Sequence, residues 1–235
     1  MIHVAIFPTW ECQLICEYCS IRHSQIDRSV KPVAWQMWQY NLRDVLPRGS
    51  IIDIAGGEPL LYSGIVDLAW SLGNAGFRWA ITTNAKASEV ISYFCRERIH
   101  GAACFNVSDH AGNPEAHENV IKLRRAGYTV NVHRVDHPAA GQHEPDAKLI
   151  TYQDWRGDNA VDGIKRKCSA GIDHWVADPQ GDMWRCVVAL ETGQPPSGNL
   201  FTRKVEKTSL LCDFGCTTCY TENPAEWGVE MRCTS

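Results

Sequence analysis

Residues 9–20, TWECQLICEYCS, follow the first apolar run of the chain and hold three cysteines in a C-x3-C-x2-C pattern. The three are Cys12, Cys16 and Cys19. Structural zinc sites use four protein ligands, whereas a metal centre that keeps an open position is typical of catalysis. Short loops of this kind also supply thiolates to iron–sulfur clusters. The spacing therefore indicates a metal site with three thiolates, and zinc with Glu11, Glu17 or His23 as a fourth ligand is the alternative.

The overall composition is that of a protein with one large core. Of 235 residues, 44% are hydrophobic and 21% are charged, which is ordinary for a globular chain. The net charge of −4 and the lack of a basic block argue against a broad nucleic-acid surface. The apolar runs are too short to span a membrane, and the start MIHVAIFPTW lacks the basic region of a signal peptide.

The number of cysteines is the strongest compositional feature. Eleven cysteines without a secretory signal favour metal binding or catalysis in a reducing cytoplasm over disulfide bonds. Three fall within 12–19 and six between 168 and 233. Cys95 and Cys104 stand apart from both groups, and we expect them to be small buried hydrophobic residues.

Strand-like and helix-like segments alternate along the first two thirds of the chain. Short apolar runs predict strands at 3–7, 50–57, 78–85, 102–109, 128–135 and 148–155. Amphipathic segments predict helices at 32–46, 63–76, 87–99 and 114–127. This alternation is typical of a parallel α/β sheet, whose functional residues gather at the carboxyl ends of the strands. Further along, HWVADPQGDMWRC (174–186) predicts a β-hairpin with DPQGD as its turn.

A second motif, GGEP (56–59), follows the second predicted strand. Together with the cysteine loop, in which Tyr18 holds the aromatic place of a C-x3-C-x-φ-C pattern, it resembles the radical S-adenosylmethionine superfamily. The resemblance implies a partial (β/α)6 parallel barrel over residues 1–160, with a small Cys-rich extension over 161–235.

The resemblance also implies the cofactors. Cys12, Cys16 and Cys19 would hold three irons of a 4Fe–4S cluster, and the fourth iron would bind S-adenosylmethionine. An electron from a reducing donor such as flavodoxin or ferredoxin would cleave the cofactor. The resulting 5′-deoxyadenosyl radical would then abstract a hydrogen atom from substrate, with the protein orienting and shielding the reaction.

The residues expected to bind S-adenosylmethionine lie in the cysteine loop, at the ends of predicted strands and on the fifth predicted strand. They are Tyr18, Gly56, Gly57, Glu58, Asn84, Ser108, Asn131 and Arg134. The glycines allow close approach of the backbone, and the GGE edge would meet the methionyl amino group. As single polar residues, the others serve equally well as structural hydrogen-bonding groups.

The C-terminal cysteines resemble a SPASM or twitch extension, which binds auxiliary iron–sulfur clusters. The C-x12-G-x4-C arrangement of Cys168, Gly181 and Cys186 carries the resemblance. The implied ligands of one auxiliary 4Fe–4S cluster are Cys168, Cys186, Cys216 and Cys219. Cys212 or Cys233 replacing one of them, a second auxiliary cluster, and a zinc ribbon are the alternatives.

The expected activity is oxidation of a small molecule or peptide, with the auxiliary cluster as electron acceptor. A peptide-modifying maturase that epimerises or cross-links its substrate is one alternative. A metal-stapled binding module without catalysis is another. No motif specifies a catalytic acid or base, and the polar residues near predicted openings are Asp109, Asp154, Arg156 and His174. Because the chain begins at its first strand, a small substrate, or a peptide delivered by a separate protein, is favoured.

Overall fold

The computed structural model describes residues 2–24, 26–111, 113–136, 147–151, 166–167, 170–205 and 211–212. Within these ranges the strands are β1 (His3–Ile6), β2 (Ile51–Ile54), β3 (Arg78–Thr83), β4 (Ala102–Ser108), β5 (Val130–Asp136), β6 (Lys148–Thr151), β7 (Arg166–Lys167), β8 (His174–Ala177), β9 (Asp182–Trp184), β10 (Gly198–Asn199), β11 (Lys204–Val205) and β12 (Leu211–Cys212). The α-helices are α1 (Ser20–His23), α2 (Trp35–Val45), α3 (Ile65–Asn74), α4 (Ser88–Glu97), α5 (Glu115–Arg125) and α6 (Val187–Glu191), and Pro59–Leu61 form a 3-10 turn.

The first six strands form a parallel sheet in chain order, from β1 to β6. Helices α2 to α5 connect β1 through β5, so the predicted β-α alternation and the sixth strand are confirmed. The observed β2 ends at Ile54, three residues before the predicted end at 57. The residues after Ile54 leave the sheet to meet the cysteine loop.

One face of this sheet carries the main core. Ile52, Ile81, Phe105 and Val107 are almost fully buried in a single apolar cluster with residues of α2 to α5. Phe105 makes edge contacts with the rings of Trp79, Phe94 and Tyr128. Because side chains alternate along a strand, every second residue of each strand is directed away from this helix face.

The other face of the sheet, here called the inner face, carries small and polar side chains on β2 to β5. Two rows run across neighbouring strands: Asp53, Ala80 and Cys104 in one, and Thr82, Asn106 and Asn131 in the next. Cys104 is buried with Ala80 and Ala103, as expected of a small hydrophobic residue. Cys95 is only partly buried and packs against the main core.

The segment after residue 170 extends the sheet on the other side of β1. Strand β8 pairs in parallel with β1, and β8 and β9 form the predicted hairpin. Its turn is closed by Asp178, whose Oδ1 accepts the backbone N–H groups of Gln180 and Asp182 at 2.9 and 3.0 Å. Residues 170–205 therefore continue the sheet, while a domain division at residue 160 stays a prediction. Among the described residues, no helix has the length and apolar character to cross a membrane.

Candidate active site

The three cysteines of the loop line one cavity. The loop follows β1, and its last cysteine, Cys19, lies at the N-terminus of α1. All three cysteines are free thiols, and the cavity that they line has a volume of about 450 Å³. The same cavity is lined by Gly56 and Gly57. The fold therefore brings together the two motifs that lie about 40 residues apart in the sequence.

The thiols lie within electrostatic reach of one another. Burial raises the pKa of Cys16 to about 11, and the neighbouring charges of Cys19 and Cys12 add to the rise. Burial also raises the pKa of Cys12. Thiols with a raised pKa, as at Cys12 and Cys16, stay protonated unless a cation binds near them, and a coordinating metal deprotonates its thiol ligands. The donor set thus suits a cationic centre.

The two glycines of GGEP bring the end of β2 against the backbone of the cysteine loop. The N–H of Gly57 donates to the Thr9 carbonyl at 3.0 Å, and the N–H of Glu58 to the Glu11 carbonyl at 2.6 Å. Gly56 has φ of +120°, and a Cβ there would lie 2.6 Å from the Thr9 carbonyl. A Cβ on Gly57 would collide with the Glu11 carbonyl. The glycines are expected to let the backbone approach a cofactor closely. In the structure they let it approach the loop that carries the thiols.

Glu58 is fully buried, and its carboxylate is occupied by protein donors. Oε1 accepts the Thr83 hydroxyl at 2.6 Å and the Leu60 N–H at 3.0 Å, and Oε2 accepts the Asn84 N–H at 2.7 Å. Burial raises the pKa of Glu58, and these three hydrogen bonds oppose the rise. The carboxylate joins the end of β3 to the GGEP turn, and the role of Glu58 toward a cofactor stays a prediction.

Asn84 joins the turn after β3 to the cysteine loop. Its Nδ2 lies 3.8 Å from Cys12 Sγ, and its Oδ1 accepts the Lys86 N–H at 2.9 Å. The turn passes through a left-handed residue, Ala85 (φ 56°), whose carbonyl accepts Asn119 Nδ2 at 2.8 Å. Asn84 also lines the cavity, as its predicted role requires.

The remaining predicted cofactor contacts fall in different places. Ser108, at the end of β4, lines the cavity. Asn131 lies on the inner face, where its Nδ2 donates to Asn106 Oδ1 at 3.0 Å. Arg134 has the opposite parity on β5 and shares the face of the buried Val132. Their roles toward a cofactor stay predictions, and Ser108 is the one of the three that lies at the cavity wall.

Sequence reasoning missed His110, which also lines the cavity. Its Nδ1 lies 2.7 Å from the hydroxyl of Tyr18 and 3.4 Å from Cys16 Sγ, and the Tyr18 and His110 rings stack with centroids 5.7 Å apart. Burial lowers the pKa of His110, and the nearby Asp109 carboxylate opposes this. The available signal was its position directly after Ser108 and Asp109 at a predicted strand end.

Asp53, a second missed residue, is a carboxylate on the inner face of β2. It accepts the hydroxyl of Thr82 at 3.3 Å, and burial raises its pKa to about 6. Thr82 also lines the cavity, so Asp53 stands one residue behind the cavity wall. The signal was a single charge inside the apolar strand IIDI.

The C-terminal metal ligands can be located only in part. Cys186 is buried in a cluster with Phe7, Trp10 and Trp184, close to the start of the cysteine loop. Cys212 ends β12. The other predicted ligands and candidate polar residues lie outside the described residues: Cys168, Cys216, Cys219, Cys233, Asp154 and Arg156.

His174 lies at the opposite end of the sheet from the cysteine loop, because it pairs with His3 at the start of β1. It begins β8 and packs edge-on against His3 at 5.6 Å, at the amino end of the parallel strands. Among the described residues, no group of three or more His, Cys, Asp or Glu side chains surrounds the position of a single metal ion. The loop thiols line a larger volume, in which each thiol can bind a different iron atom of a cluster.

No protein-family model matches the sequence, and no curated protein matches it at significant similarity. Solved structures do match. SuiB of Streptococcus suis, bound to its precursor peptide SuiA, superposes with a TM-score of 0.63 at 14% identity, over 86% of this chain and 63% of SuiB. The polyhistidine-tagged anSMEcpe with bound AdoMet gives 0.62 at 11% identity, over 86% and 75%. BtrN in complex with AdoMet and 2-DOIA gives 0.52 at 15% identity, over 86% and 79%.

These structures are radical S-adenosylmethionine enzymes, and the chain has their fold. The expected α/β partial barrel is thereby confirmed. The chain spans 63% of the length of SuiB, and all the identities are low, so the similarity concerns architecture. The Cys-rich twitch-like extension stays a prediction.

Proposed function

We propose that this protein is a radical S-adenosylmethionine enzyme. The observation that supports it most is the convergence of both motifs on one cavity: the three free thiols of the C-x3-C-x2-C loop face the glycine edge of GGEP. The fold shared with enzymes solved with bound AdoMet agrees with this assignment. The cavity volume of about 450 Å³ lies within the range of small-molecule and cofactor sites.

The thiols of Cys12, Cys16 and Cys19 would hold a 4Fe–4S cluster, and S-adenosylmethionine would occupy the rest of the cavity. When bound, the reduced cluster supplies the electron that splits the cofactor into methionine and a 5′-deoxyadenosyl radical. Glu58 and the two glycines hold the cysteine loop against the sheet, so the thiols keep one arrangement. Trp10 and Ile21 add apolar wall to the cavity and help to exclude water.

The substrate is proposed to be a small molecule or a peptide that loses a hydrogen atom to the 5′-deoxyadenosyl radical. Structures of the same fold are solved with a precursor peptide, with the peptide Cp18Cys and with 2-DOIA, so both classes of ligand occur on this fold. Net oxidation would use an auxiliary 4Fe–4S cluster as electron acceptor, held by Cys186 together with Cys168, Cys216 and Cys219. Reduction of the first cluster would come from a flavodoxin or ferredoxin.

The experiment that tests the enzyme class is anaerobic reconstitution of the full chain with iron and sulfide, followed by reduction and addition of S-adenosylmethionine. The Cys12→Ala/Cys16→Ala/Cys19→Ala variant is expected to lose about four irons per chain and all formation of 5′-deoxyadenosine. The matched control is Cys95→Ala, which removes a partly buried thiol outside the cavity and is expected to retain both. Irons that persist in the triple variant would belong to the auxiliary cluster.

A fully loaded wild type that forms no 5′-deoxyadenosine would contradict the proposal, as would zinc in place of iron. Either result would favour the second class, a metal-stapled binding protein. Within the enzyme class, product mass separates the reactions once a substrate is found. Oxidation removes two hydrogens, whereas an epimerase with an exchangeable thiol donor leaves the mass unchanged in water and adds one mass unit in heavy water.

A further inference from the structure

We infer that His110 is a positioning residue which, together with Tyr18, directs a hydrogen bond at the sulfur of Cys16 and so raises the reduction potential of the cluster proposed for this loop. The inference rests on the proposed function. It concerns a side chain outside both sequence motifs, which enters the cavity from the turn after β4.

The geometry places one ring nitrogen against two partners. His110 Nδ1 lies 3.4 Å from Cys16 Sγ and 2.7 Å from the Tyr18 hydroxyl. The two rings are nearly parallel, with an interplanar angle of 17° and centroids 5.7 Å apart. Stacking and hydrogen bonding therefore fix the imidazole in the same orientation, with Nδ1 toward the sulfur.

The backbone around His110 is held as well. The Asp109 N–H donates to the His133 carbonyl of β5 at 2.8 Å, and the Asn113 N–H donates to the His110 carbonyl at 3.0 Å. These bonds hold the backbone on both sides of His110, while the stacked Tyr18 ring holds its imidazole. Preorganised donors of this kind act without first losing side-chain entropy.

The chemistry of the sulfur decides the direction of the hydrogen bond. A thiolate bound to iron carries no proton and can only accept, so the nearby N–H and O–H groups must be the donors. The negative charge on sulfur favours the tautomer with the proton on Nδ1, since the bond is then charge-assisted. The Tyr18 oxygen then accepts from the same N–H at 2.7 Å, and the Tyr18 O–H donates to the sulfur. Cys12 differs, because its sulfur receives the backbone N–H of Leu14 at 3.4 Å. A substitution of His110 therefore alters the donors at one ligand only.

Hydrogen bonds to the sulfurs are among the factors that set cluster potentials. A donor stabilises the more negative, reduced form of the cluster more than the oxidised form. Removal of the His110 donor is therefore expected to lower the potential, which makes the cluster harder for a physiological donor to reduce.

The test compares three variants of the reconstituted full chain: His110→Phe, His110→Leu and His110→Asn. Phe keeps an aromatic ring against Tyr18 without a donor. Leu and Asn have nearly the same size, and only Asn keeps an N–H donor near the position of Nδ1. The measurement is the midpoint potential of the loop cluster by EPR-monitored redox titration, with iron counted in every sample. The signal of the Cys12→Ala/Cys16→Ala/Cys19→Ala variant is subtracted to remove an auxiliary cluster.

The expected result is a lower potential in His110→Phe and His110→Leu by about 59 mV, a tenfold change in a one-electron equilibrium, with His110→Asn close to wild type. Equal potentials in Leu and Asn at full iron content would overturn the inference. Loss of iron in all three variants would also overturn it, because His110 would then be needed for the site to form. A wild type that binds no cluster would instead refute the proposed function.

Discussion

Glu58 and Asp53 are two carboxylates only five residues apart in sequence, but their surroundings differ. Glu58 lies in the turn beyond the end of β2, here called the rim of the sheet, and Asp53 lies on its inner face. Glu58 at the rim accepts three hydrogen bonds at 2.6 to 3.0 Å. Asp53 on the inner face accepts one, at 3.3 Å from Thr82. Burial raises the pKa of both groups, but at Glu58 three donors oppose this rise and at Asp53 a single donor does.

This contrast separates residues whose hydrogen bonds hold the site in shape from residues whose polar atoms still have hydrogen-bonding capacity. In the turn after β2, which holds Gly57 and Glu58, the polar groups are hydrogen-bonded. The Glu58 carboxylate, the glycine backbone and the neighbouring Asn84 side chain each bond to the cysteine loop or to the end of β3. The inner face leaves polar atoms with unused capacity, as at Asn106, whose buried Nδ2 has no partner in the described part of the chain. Buried polar groups cost free energy unless bonded, so the inner face carries a cost that the turn around Glu58 avoids.

The largest effect is expected when the rim carboxylate is removed. Glu58→Ala leaves the N–H groups of Leu60 and Asn84 buried without an acceptor, each at a cost of about 1–3 kcal/mol, and removes the partner of Thr83. The expected loss in the free energy of unfolding is about 3–5 kcal/mol. Denaturant unfolding of the metal-free protein measures it.

Glu58→Gln is the matched control, because its amide oxygen still accepts from Thr83 and Leu60 while its NH2 group faces the Asn84 N–H. We expect it to lose less than half as much stability as Glu58→Ala. Equal losses in the two variants would show that shape, and not the bonds to the carboxylate, holds the turn.

Asp53→Asn is expected to have the opposite sign. With a pKa of about 6 in the folded protein against 3.8 for the free side chain, the folded state binds the proton more tightly. The contribution of Asp53 to stability is therefore fully present below about pH 4 and is lost as the pH rises through 6. Asn stays neutral, so the variant is expected to exceed wild type at pH 8 by up to about 3 kcal/mol, with the gain shrinking as the pH is lowered to 4.

Unfolding curves of both proteins across this range provide the measurement, and Asp67→Asn on the exposed side of α3 is the control without such a gain. A gain of Asp53→Asn that does not change with pH would contradict the assignment. A constant gain would mean that the carboxylate is solvated or paired in the folded chain.

Much of the architecture could be predicted because its signals are local. Apolar runs, helical periodicity and the turn residues around Asp178 predict β1 to β6, their helices and the β8–β9 hairpin without reference to distant residues. The pairing of β8 with β1 could not be predicted, because its partners lie more than 170 residues apart.

In the site, the cysteine and GGEP motifs were found by their spacing. The contacts of Gly57 with Thr9, of Glu58 with Thr83 and of His110 with Tyr18 depend on how the loops meet after the strands have assembled.

The smallest effect tests the contrast with two adjacent threonines of β3. Thr82→Val removes the donor to Asp53, and Thr83→Val removes the donor to Glu58, with the same change in shape. Because the bond from Thr82 is long and weak, we expect its loss to cost about 1 kcal/mol at pH 8.

At low pH the Asp53 carboxyl is protonated and its oxygen is a neutral acceptor, so the cost of Thr82→Val should fall to about half. It should fall equally in an Asp53→Asn background, because the amide oxygen of Asn also accepts without a charge. Thr83→Val is expected to cost about 2–3 kcal/mol, because it also removes the acceptor of the buried Ala85 N–H at 2.8 Å. Its loss should persist in the Asp53→Asn background, since the two carboxylates share no donor. Equal costs for the two valine variants would mean that Glu58 and Asp53 are held equally firmly by their threonines. The proposed difference between the two carboxylates would then be wrong.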